Sequence, residues 1–227
     1  MYDIKKGERM ILSFCQEKGG TGKTTTSVNL AIAYAKAGAD VLFVDADPSQ
    51  NSTFFFSLRT EKNDIRGEKI TCVSKTGDLK RDVQALSYKY DITIIDTGGR
   101  DSSEARTSML VADIVIMPIA PSQFDIWSLE KMFRIYREAK DFNFKLRCFV
   151  LRSRVSPNPV IKEGAELTEF LNEELGKDIT LLDAIIYDRI AYRKVVKDGR
   201  SVVELDSADK ARTDFEAFFK ELNERFI

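Results

Sequence analysis

Short apolar segments alternate with longer amphipathic segments along most of the 227 residues. Seven apolar runs of strand length are separated by segments whose apolar residues recur at helical spacing. The predicted strands are Met10–Cys15, Asp40–Val44, Lys69–Val73, Ile92–Ile95, Ile114–Pro118, Leu146–Leu151 and Ile179–Ile185. The predicted helices are Thr24–Ala37, Asp78–Tyr88, Ser103–Val111, Ile126–Asp141, Lys162–Leu175, Ala191–Lys197 and Ala208–Arg225. Nearly continuous apolar strands are buried on both faces, so the pattern predicts a doubly wound, mostly parallel α/β sheet with helices on both faces.

A single domain covering residues 1–227 is the expected organisation. A chain of this length can build one large α/β domain with a full hydrophobic core. No repeat, low-complexity stretch or linker interrupts the alternating pattern. The formal net charge of −1 gives the whole molecule no attraction to nucleic acid or acidic membranes, so such binding would need a local patch.

The chain contains no histidine and three widely spaced cysteines, Cys15, Cys72 and Cys148. The missing histidines exclude Ser-His-Asp and Cys-His catalysis and most zinc chemistry. Without a CxxC pair an iron–sulfur cluster is not expected, and an odd cysteine count suits a reducing compartment. The N-terminal residues are charged and lack an apolar signal core, and no apolar run is long enough to cross a bilayer. These features predict a cytoplasmic protein.

The most informative motif is the segment KGGTGKTT at residues 18–25, directly after the first predicted strand. Glycines allow successive backbone N–H groups to turn toward an anion, as in a phosphate-binding loop. Lys23 would reach the β- and γ-phosphates of a nucleotide, and the Thr24 hydroxyl would bind its Mg²⁺ ion. A strict P-loop has glycine at position 17, where this chain has Glu17 followed by an extra cation, Lys18. The second lysine therefore needs its own explanation.

Polar clusters also follow two further predicted strands. Asp45 and Asp47 lie two residues apart at the end of the second strand, so on an extended segment they would point the same way. One could assist Mg²⁺ while the other positions the attacking water. Asp96 ends the fourth strand like a Walker-B acid, and Gly98 and Gly99 follow it like a nucleotide-sensing switch. All three clusters should converge on one crevice at the carboxyl ends of parallel strands.

The order of these motifs resembles that of the ParA/MinD group of deviant Walker-A ATPases. The resemblance covers most of the chain. The segments that carry it are residues 18–25, 45–50, 95–98, 115–122 and 188–202. Within the group the chain is most similar to the short plasmid-partition proteins, which lack an N-terminal DNA-reading domain.

The resemblance implies an ATPase that uses ATP and Mg²⁺. Lys18 would cross a dimer interface and contact the partner's nucleotide, so that ATP binding and dimerisation become one event. Lys23 would be the phosphate lysine in cis, and Asp47 would position the attacking water. The implied magnesium ligands are Thr24, Asp45 and Asp96. The implied nucleotide contacts are Gly19, Gly20, Thr21, Gly22, Lys23, Thr24, Thr25, Pro118 and Arg152, the last two beside the adenine.

Two departures from the family pattern fall within this predicted site. The family usually has Asp-x-Pro-Pro at the third cluster, where this chain has DTGGR at residues 96–100. Two glycines make such a switch more flexible, and Arg100 adds a cation to which no role is assigned. The family also commonly has asparagine near position 152, where this chain has Arg152.

The resemblance also implies partners: a second copy in the ATP state, DNA bound without sequence preference, and a centromere-binding adaptor of the ParB type that stimulates slow hydrolysis. The ATP-bound protein would then be associated with the nucleoid. Five cations flanked by Asp188 and Asp198 could contact DNA phosphates once a two-fold axis repeats them. These cations are Arg189, Arg193, Lys194, Lys197 and Arg200. The alternative is a solvated helix face, the common fate of charge runs.

The C-terminal segment separates the ParA interpretation from the MinD interpretation. Its apolar stripe consists of Phe215, Phe218, Phe219, Leu222 and Phe226. Residues 207–227 carry five acids and four bases, so an anionic bilayer would attract them weakly. We therefore expect the stripe to pack on the sheet, with no membrane partner. A MinD-like or other cargo-positioning ATPase remains the alternative function, as does a metabolic P-loop ligase, although the chain shows no further catalytic motif.

Overall fold

The structure is a computed structural model that describes residues 9–62, 67–158 and 160–226. The strands are β1 (Met10–Phe14), β2 (Val41–Ala46), β3 (Ile70–Ser74), β4 (Ile92–Thr97), β5 (Ile114–Ile119), β6 (Arg147–Val155) and β7 (Ile179–Tyr187). The helices are α1 (Lys23–Lys36), α2 (Asn51–Lys62), α3 (Lys80–Ser87), α4 (Ser103–Met109), α5 (Gln123–Lys140), α6 (Glu163–Glu174), α7 (Ile190–Val196) and α8 (Lys210–Phe226). A 3₁₀ turn, Val202–Glu204, lies between α7 and α8. The charged N-terminal stretch considered above, residues 1–8, lies outside the described residues.

The seven strands form one sheet in the order β3-β2-β4-β1-β5-β6-β7, and every pair of neighbours is parallel. Strands β2, β4 and β5 are buried at every position, which explains their continuous apolar sequence. The predicted doubly wound parallel α/β sheet is confirmed. The strand order changes direction at β1, which pairs with β4 on one side and β5 on the other. Ligands of such sheets bind at the carboxyl end of this switch point.

Helices cover both faces of the sheet. On one face, Leu12 and Phe14 of β1 share an apolar cluster with α1 and α8, and Tyr34 stacks edge-on against Phe219 with ring centroids 4.9 Å apart. On the other face, α4, α5 and α6 form a second cluster with β5 and β6. A smaller third cluster joins α3 to β2 through Leu79 and Leu42. The core therefore extends on both sides of β1 and fixes where its carboxyl end points.

The helix α2 is the element that the sequence pattern does not predict. Three consecutive phenylalanines occur within it, so apolar spacing gives no clear helical period. Tertiary contacts explain its placement: Phe56 packs on Phe43 of β2 at 4.9 Å, and the buried Arg59 donates hydrogen bonds to Glu68 and Glu204. Packing of this kind commonly overrides local propensity. Residues that lie far apart in the chain thus hold α2 against the sheet.

The C-terminal helix packs on the sheet as expected. Phe215, Phe218 and Leu222 are fully buried in the same cluster as α1, and Phe219 is almost so. The side chain of Phe226, the last member of the predicted stripe, lies outside the described residues. No described helix has the length and apolar composition needed to cross a membrane.

Candidate active site

A cavity of about 410 Å³ opens at the carboxyl end of β1. One wall is the loop between β1 and α1, with the first turn of α1; the opposite wall comes from the ends of β6 and β7 and from α7. The loop wall contributes Gly19, Gly20, Gly22, Lys23, Thr24, Thr25 and Thr26. The opposite wall contributes Ser153, Arg154, Ile186, Tyr187, Asp188, Arg189, Tyr192 and Arg193, and the lining is completed by Asp47, Asn51 and Gly99.

The backbone of the loop wall needs its glycines. Gly20 and Gly22 have φ angles of 79° and 96°, a conformation that side chains rarely adopt. A Cβ atom at Gly22 would also lie 2.5 Å from Ser153 Oγ, because β6 passes directly behind the loop. Helix α1 begins at Lys23, so the positive end of its dipole and its first N–H groups lie beside the cavity. This wall has the local geometry of an anion-binding site.

The two lysines of the loop occupy different positions. Lys23 lines the cavity and is only 6% exposed, and its Nζ donates to the carbonyls of Gln16 and Lys18 at 3.0 and 3.1 Å. Burial lowers the pKa of Lys23, although nearby Asp96 opposes that shift. Lys18 does not line the cavity, and its Nζ donates to Ser122 Oγ at 3.1 Å. The carbonyl of Lys18 thus supports Lys23, while its ammonium group extends toward the loop after β5.

Asp96 lies at the end of β4 and is completely buried. Its Oδ2 accepts a hydrogen bond from Ser52 Oγ at 2.7 Å, whereas Oδ1 has no hydrogen-bond partner among the described residues. Burial raises the pKa of Asp96 to about 6, and hydrogen bonds from Ser52 and Thr24 oppose that rise. A buried carboxylate oxygen without a partner costs free energy and is well placed to accept a ligand.

The prediction that Asp45 and Asp47 point the same way is corrected by the structure. Strand β2 ends at Ala46, so the extended geometry that the prediction assumed stops between the two residues. Asp45 is buried, and its carboxylate accepts bonds from the Asp47 N–H at 3.2 Å and from the Thr53 N–H and hydroxyl at 2.8 Å. Asp47 alone reaches the cavity. Asp45 bonds to Thr53 at the start of α2 and does not line the cavity, although it lies beside Asp96, its register partner on β4.

The glycines after Asp96 lie against the loop wall. A Cβ at Gly99 would come 2.8 Å from the backbone nitrogen of Gly19, so only glycine fits there without displacing the loop. At Gly98 the same atom would lie 3.5 Å from the Asp47 carboxyl carbon, an ordinary contact. The two glycines that replace Pro-Pro therefore differ: Gly99 makes a close backbone approach, whereas Gly98 has only an ordinary contact with Asp47. Arg100 is exposed on this loop.

Comparison with known proteins identifies this architecture. Residues 12–202 match the model of the CobQ/CobB/MinD/ParA nucleotide binding domain. The chain belongs to this family. The maintenance of carboxysome distribution protein A of Halothiobacillus neapolitanus is 24% identical over 89% of this chain and 91% of its own. The apo structure of McdA from Cyanothece superimposes with a TM-score of 0.80 at 21% identity, over 95% of this chain and 100% of its own.

A second similar structure is a plasmid partition protein from Borrelia burgdorferi, with a TM-score of 0.68 at 18% identity over 96% of this chain and 99% of its own. Such low identities show a shared fold and leave the cargo open. With the family model they establish a nucleotide-binding ATPase of the ParA/MinD type. The resemblance drawn from the sequence motifs is thereby confirmed at the level of the family.

The predicted adenine contacts are placed differently from expectation. Arg152 does not line the cavity, because its guanidinium turns toward α6 and donates to Thr168 Oγ1 at 2.9 Å and to the Asp183 carbonyl at 2.7 Å. Pro118 is buried within β5. Ser153 and Arg154 reach the cavity instead. The sequence pattern could not reveal this, because the register of β6 against β7 is irregular on both sides of these residues.

The five predicted DNA-contacting cations do not form one equivalent set. Arg189 is half-buried and ion-paired with Asp214, and it lines the cavity. Arg193 is exposed and lies 3.5 Å from Asp188, also at the cavity. The remaining three, Lys194, Lys197 and Arg200, are exposed on and just after α7. The structure therefore keeps four of the five cations at the surface.

The donor set at the cavity fits a nucleotide with its Mg²⁺ ion. Besides Asp96 Oδ1, buried oxygens without a hydrogen-bond partner in the described chain include the hydroxyls of Thr21, Thr26 and Ser153. No group of three or more Asp, Glu, His or Cys side chains suited to a metal occurs in the described ranges. Mg²⁺ usually takes one or two protein oxygens together with phosphates and water, so a single carboxylate and the Thr24 hydroxyl are a sufficient donor set.

Proposed function

We propose that this protein hydrolyses ATP as a homodimer and uses the cycle to position DNA, most specifically a plasmid, with the help of a centromere-binding adaptor. The observation that carries the proposal is the separation of the two loop lysines. Lys23 serves the cavity in cis, whereas the Lys18 ammonium lies outside it beside Ser122. A cation outside its own cavity would contact a nucleotide bound by a second copy, in the manner of an arginine finger supplied in trans.

The chemistry follows from the residues around the cavity. Thr24 would bind Mg²⁺ directly, and Asp96 would bind it through a water molecule. The ion would neutralise charge on the phosphates. Asp47, which accepts a hydrogen bond from the Ser49 N–H at 2.9 Å, would position the attacking water. Phosphoryl transfer depends on orientation and charge neutralisation more than on a strong base. A chain without histidine can therefore carry it out.

DNA binding is proposed for the exposed cations of α7 and the turn after it. Four of the five predicted residues are at the surface, and a two-fold axis would double their number in a dimer. Neutralising DNA phosphates releases counterions, so binding of this kind weakens steeply with salt. The overall charge of −1 gives the whole molecule no attraction to DNA, so the proposed binding depends on this local patch.

A second candidate function is the positioning of a protein assembly rather than a plasmid. It is favoured by the similarity to proteins named for carboxysome distribution, one of which matches 89% of this chain. Both functions share ATP-dependent dimerisation on DNA and differ in the adaptor. A cytoplasmic, nucleoid-associated location follows from either proposal.

Sedimentation of the purified protein with ATP and Mg²⁺, with ADP, and with added DNA tests the shared mechanism. We expect monomers with ADP and DNA-bound dimers with ATP. Lys18→Ala should still bind nucleotide as a monomer but lose ATP-induced dimerisation and hydrolysis. Lys36→Ala, at the exposed far end of α1, is the matched control and should behave like the wild type. A Lys18→Ala protein that dimerises and hydrolyses normally would contradict the proposal.

Charge reversal tests the DNA surface separately. Lys194→Glu with Lys197→Glu should abolish salt-sensitive DNA binding and leave ATP binding intact, because neither side chain lines the cavity. Lys89→Glu with Lys145→Glu changes the charge equally at exposed positions near the amino ends of β4 and β6, and should have little effect. Equal losses in the two double variants would show a general charge effect and remove the α7 surface from the proposal.

A further inference from the structure

Arg154 has a backbone conformation that an arginine rarely adopts. Its φ angle is 55°, and among the described residues the other non-glycine residue with a positive φ is Gln50. Arg154 sits where the register between β6 and β7 shifts, between Ser153 and Val155. Strained backbone of this kind occurs preferentially at functional sites.

The irregularity changes where the side chains of β6 point. Successive residues of a regular strand face opposite sides of the sheet, yet Ser153 and Arg154 both line the cavity. The bulge therefore adds a guanidinium to a wall that a regular strand would build from every second residue. Arg154 Nη1 donates to the carbonyl of Gly20 at 2.6 Å, which brings the guanidinium directly over the glycine loop.

The remaining donors of Arg154 have weaker partners. Its Nη2 lies 4.0 Å from Asp188, beyond hydrogen-bonding distance, and its side chain is 48% exposed. Asp188 is also 3.5 Å from Arg193, so its negative charge faces both arginines. Arg189, the nearby cation of the same wall, is paired with Asp214. Within the described ranges, Arg154 is thus a cavity cation whose one close acceptor is a neutral carbonyl.

We propose that Arg154 binds the phosphate chain of the nucleotide and acts as a second phosphate-contacting cation in cis, opposite Lys23. A guanidinium forms stronger, charge-assisted bonds to phosphate oxygens than to a neutral carbonyl, and its fork can contact two oxygens at once. The bound phosphates would compete with Gly20 for the guanidinium. This role rests on nucleotide binding at the cavity and is independent of dimerisation and DNA.

Arg154→Gly tests whether Arg154 binds the phosphates. The substitution should not impair folding, because glycine adopts a positive φ without the strain that arginine has there. We expect the variant to unfold at the same or a higher denaturant concentration than the wild type. Its affinity for ADP should fall about tenfold or more, the loss expected for a charge-assisted hydrogen bond. Its affinity for adenosine, which has no phosphate, should stay within twofold. Fluorescence titration with ADP and competition by adenosine measure both.

Two further variants complete the experiment. Arg154→Lys keeps the charge without the planar fork and should recover part of the lost ADP affinity. Arg147→Ala removes a cation from the exposed, opposite end of β6 and should leave ADP binding unchanged. Wild-type affinity for ADP in Arg154→Gly, or equal losses for ADP and adenosine, would overturn the assignment. A wild type that binds ADP but never dimerises with ATP would contradict the proposed function and leave the ADP test of Arg154 intact.

Discussion

The two walls of the cavity are built in different ways. The loop wall is one continuous segment, residues 19–26, whose conformation follows from its glycines and from the start of α1. The opposite wall is assembled from the ends of β6 and β7 and from α7, and its shape depends on a bulge and on ion pairs across the chain. A phosphate-binding loop can therefore be identified from a short motif, whereas the residues facing it depend on how distant segments pack.

The two walls should also respond differently to amino-acid substitution. The loop wall is limited by close contacts, since a Cβ at Gly22 would meet the Ser153 hydroxyl and a Cβ at Gly99 would meet the Gly19 backbone. Side chains and their charges define the opposite wall, where Arg154 and Asp188 are partly exposed. Substitutions on the loop wall should therefore disturb folding and nucleotide binding together. Those on the opposite wall should separate the two properties.

Gly99→Ala is the change that should disturb the loop wall most. Its Cβ would lie 2.8 Å from the Gly19 nitrogen, so the loop or the switch segment must shift. We expect a loss of about 2–3 kcal/mol in the free energy of unfolding, together with weaker ADP binding. Gly98→Ala is the matched control, because its Cβ meets Asp47 at an ordinary 3.5 Å. Denaturant titration and ADP titration of both variants check the prediction; equal effects would show that the close approach is unimportant.

Asp96→Asn should sharpen the comparison through the pH dependence of stability, at a buried carboxylate beside Lys23. The carboxyl pKa of Asp96 is about 6 in the folded state, against 3.8 for an ordinary aspartate. Between these values the folded protein binds more protons, so its free energy of unfolding falls as pH rises from about 4 to about 6. The fall should approach about 2 kcal/mol and be absent in Asp96→Asn, which should be the more stable protein at pH 7.5 without nucleotide.

Denaturant titration at pH 4.5 and pH 7.5 measures this difference. Asp141→Asn, at an exposed position near the amino end of β6, is the control and should keep the wild-type pH dependence. The gain in stability should come with a loss of Mg²⁺-dependent ATP hydrolysis, because the neutral amide is a poorer partner for the ion. Unchanged pH dependence in Asp96→Asn would show that the buried carboxyl titrates normally.

Arg152→Ala should have the smallest effect and tests the opposite wall. The guanidinium of Arg152 bonds to Thr168 and to two carbonyls of β7, so its loss should lower the free energy of unfolding by about 1 kcal/mol. Because the side chain points away from the cavity, ADP affinity should remain within twofold of the wild type. A large loss of ADP affinity would restore the original prediction that Arg152 contacts the nucleotide.

Much of the fold could be predicted from the sequence because the strands are continuous apolar runs. Each predicted strand has a counterpart in the sheet, and strand β1 leads directly into the glycine loop. Helix α2 could not be predicted, since its position depends on Phe43, Glu68 and Glu204, none of which lies in it. Local patterns carry information only where neighbours in the chain are also neighbours in space.

The candidate site likewise combines residues that a local motif predicts with residues that only packing places. Lys23, Thr24 and the loop glycines lie at the cavity because one turn and one helix start place them all. Asp45 was predicted to face the metal, but the end of β2 at Ala46 directs its carboxylate to Thr53. The adenine prediction chose Arg152, one residue before the bulge that brings the next two side chains to the cavity. Because β6 is irregular here, the residues that line the cavity come directly after the predicted Arg152 in the chain.

The sequence by itself determined the parallel α/β fold, the phosphate-binding loop and membership of the ParA/MinD family, because each follows from apolar runs and contiguous motifs. Only the tertiary structure decided which carboxylates reach the cavity, that Lys18 lies beside Ser122, and that Arg154 stands over Gly20. Those arrangements depend on where strands end, where one bulges and which distant residues pair. Such features arise from packing between segments and leave no periodic signal in the chain.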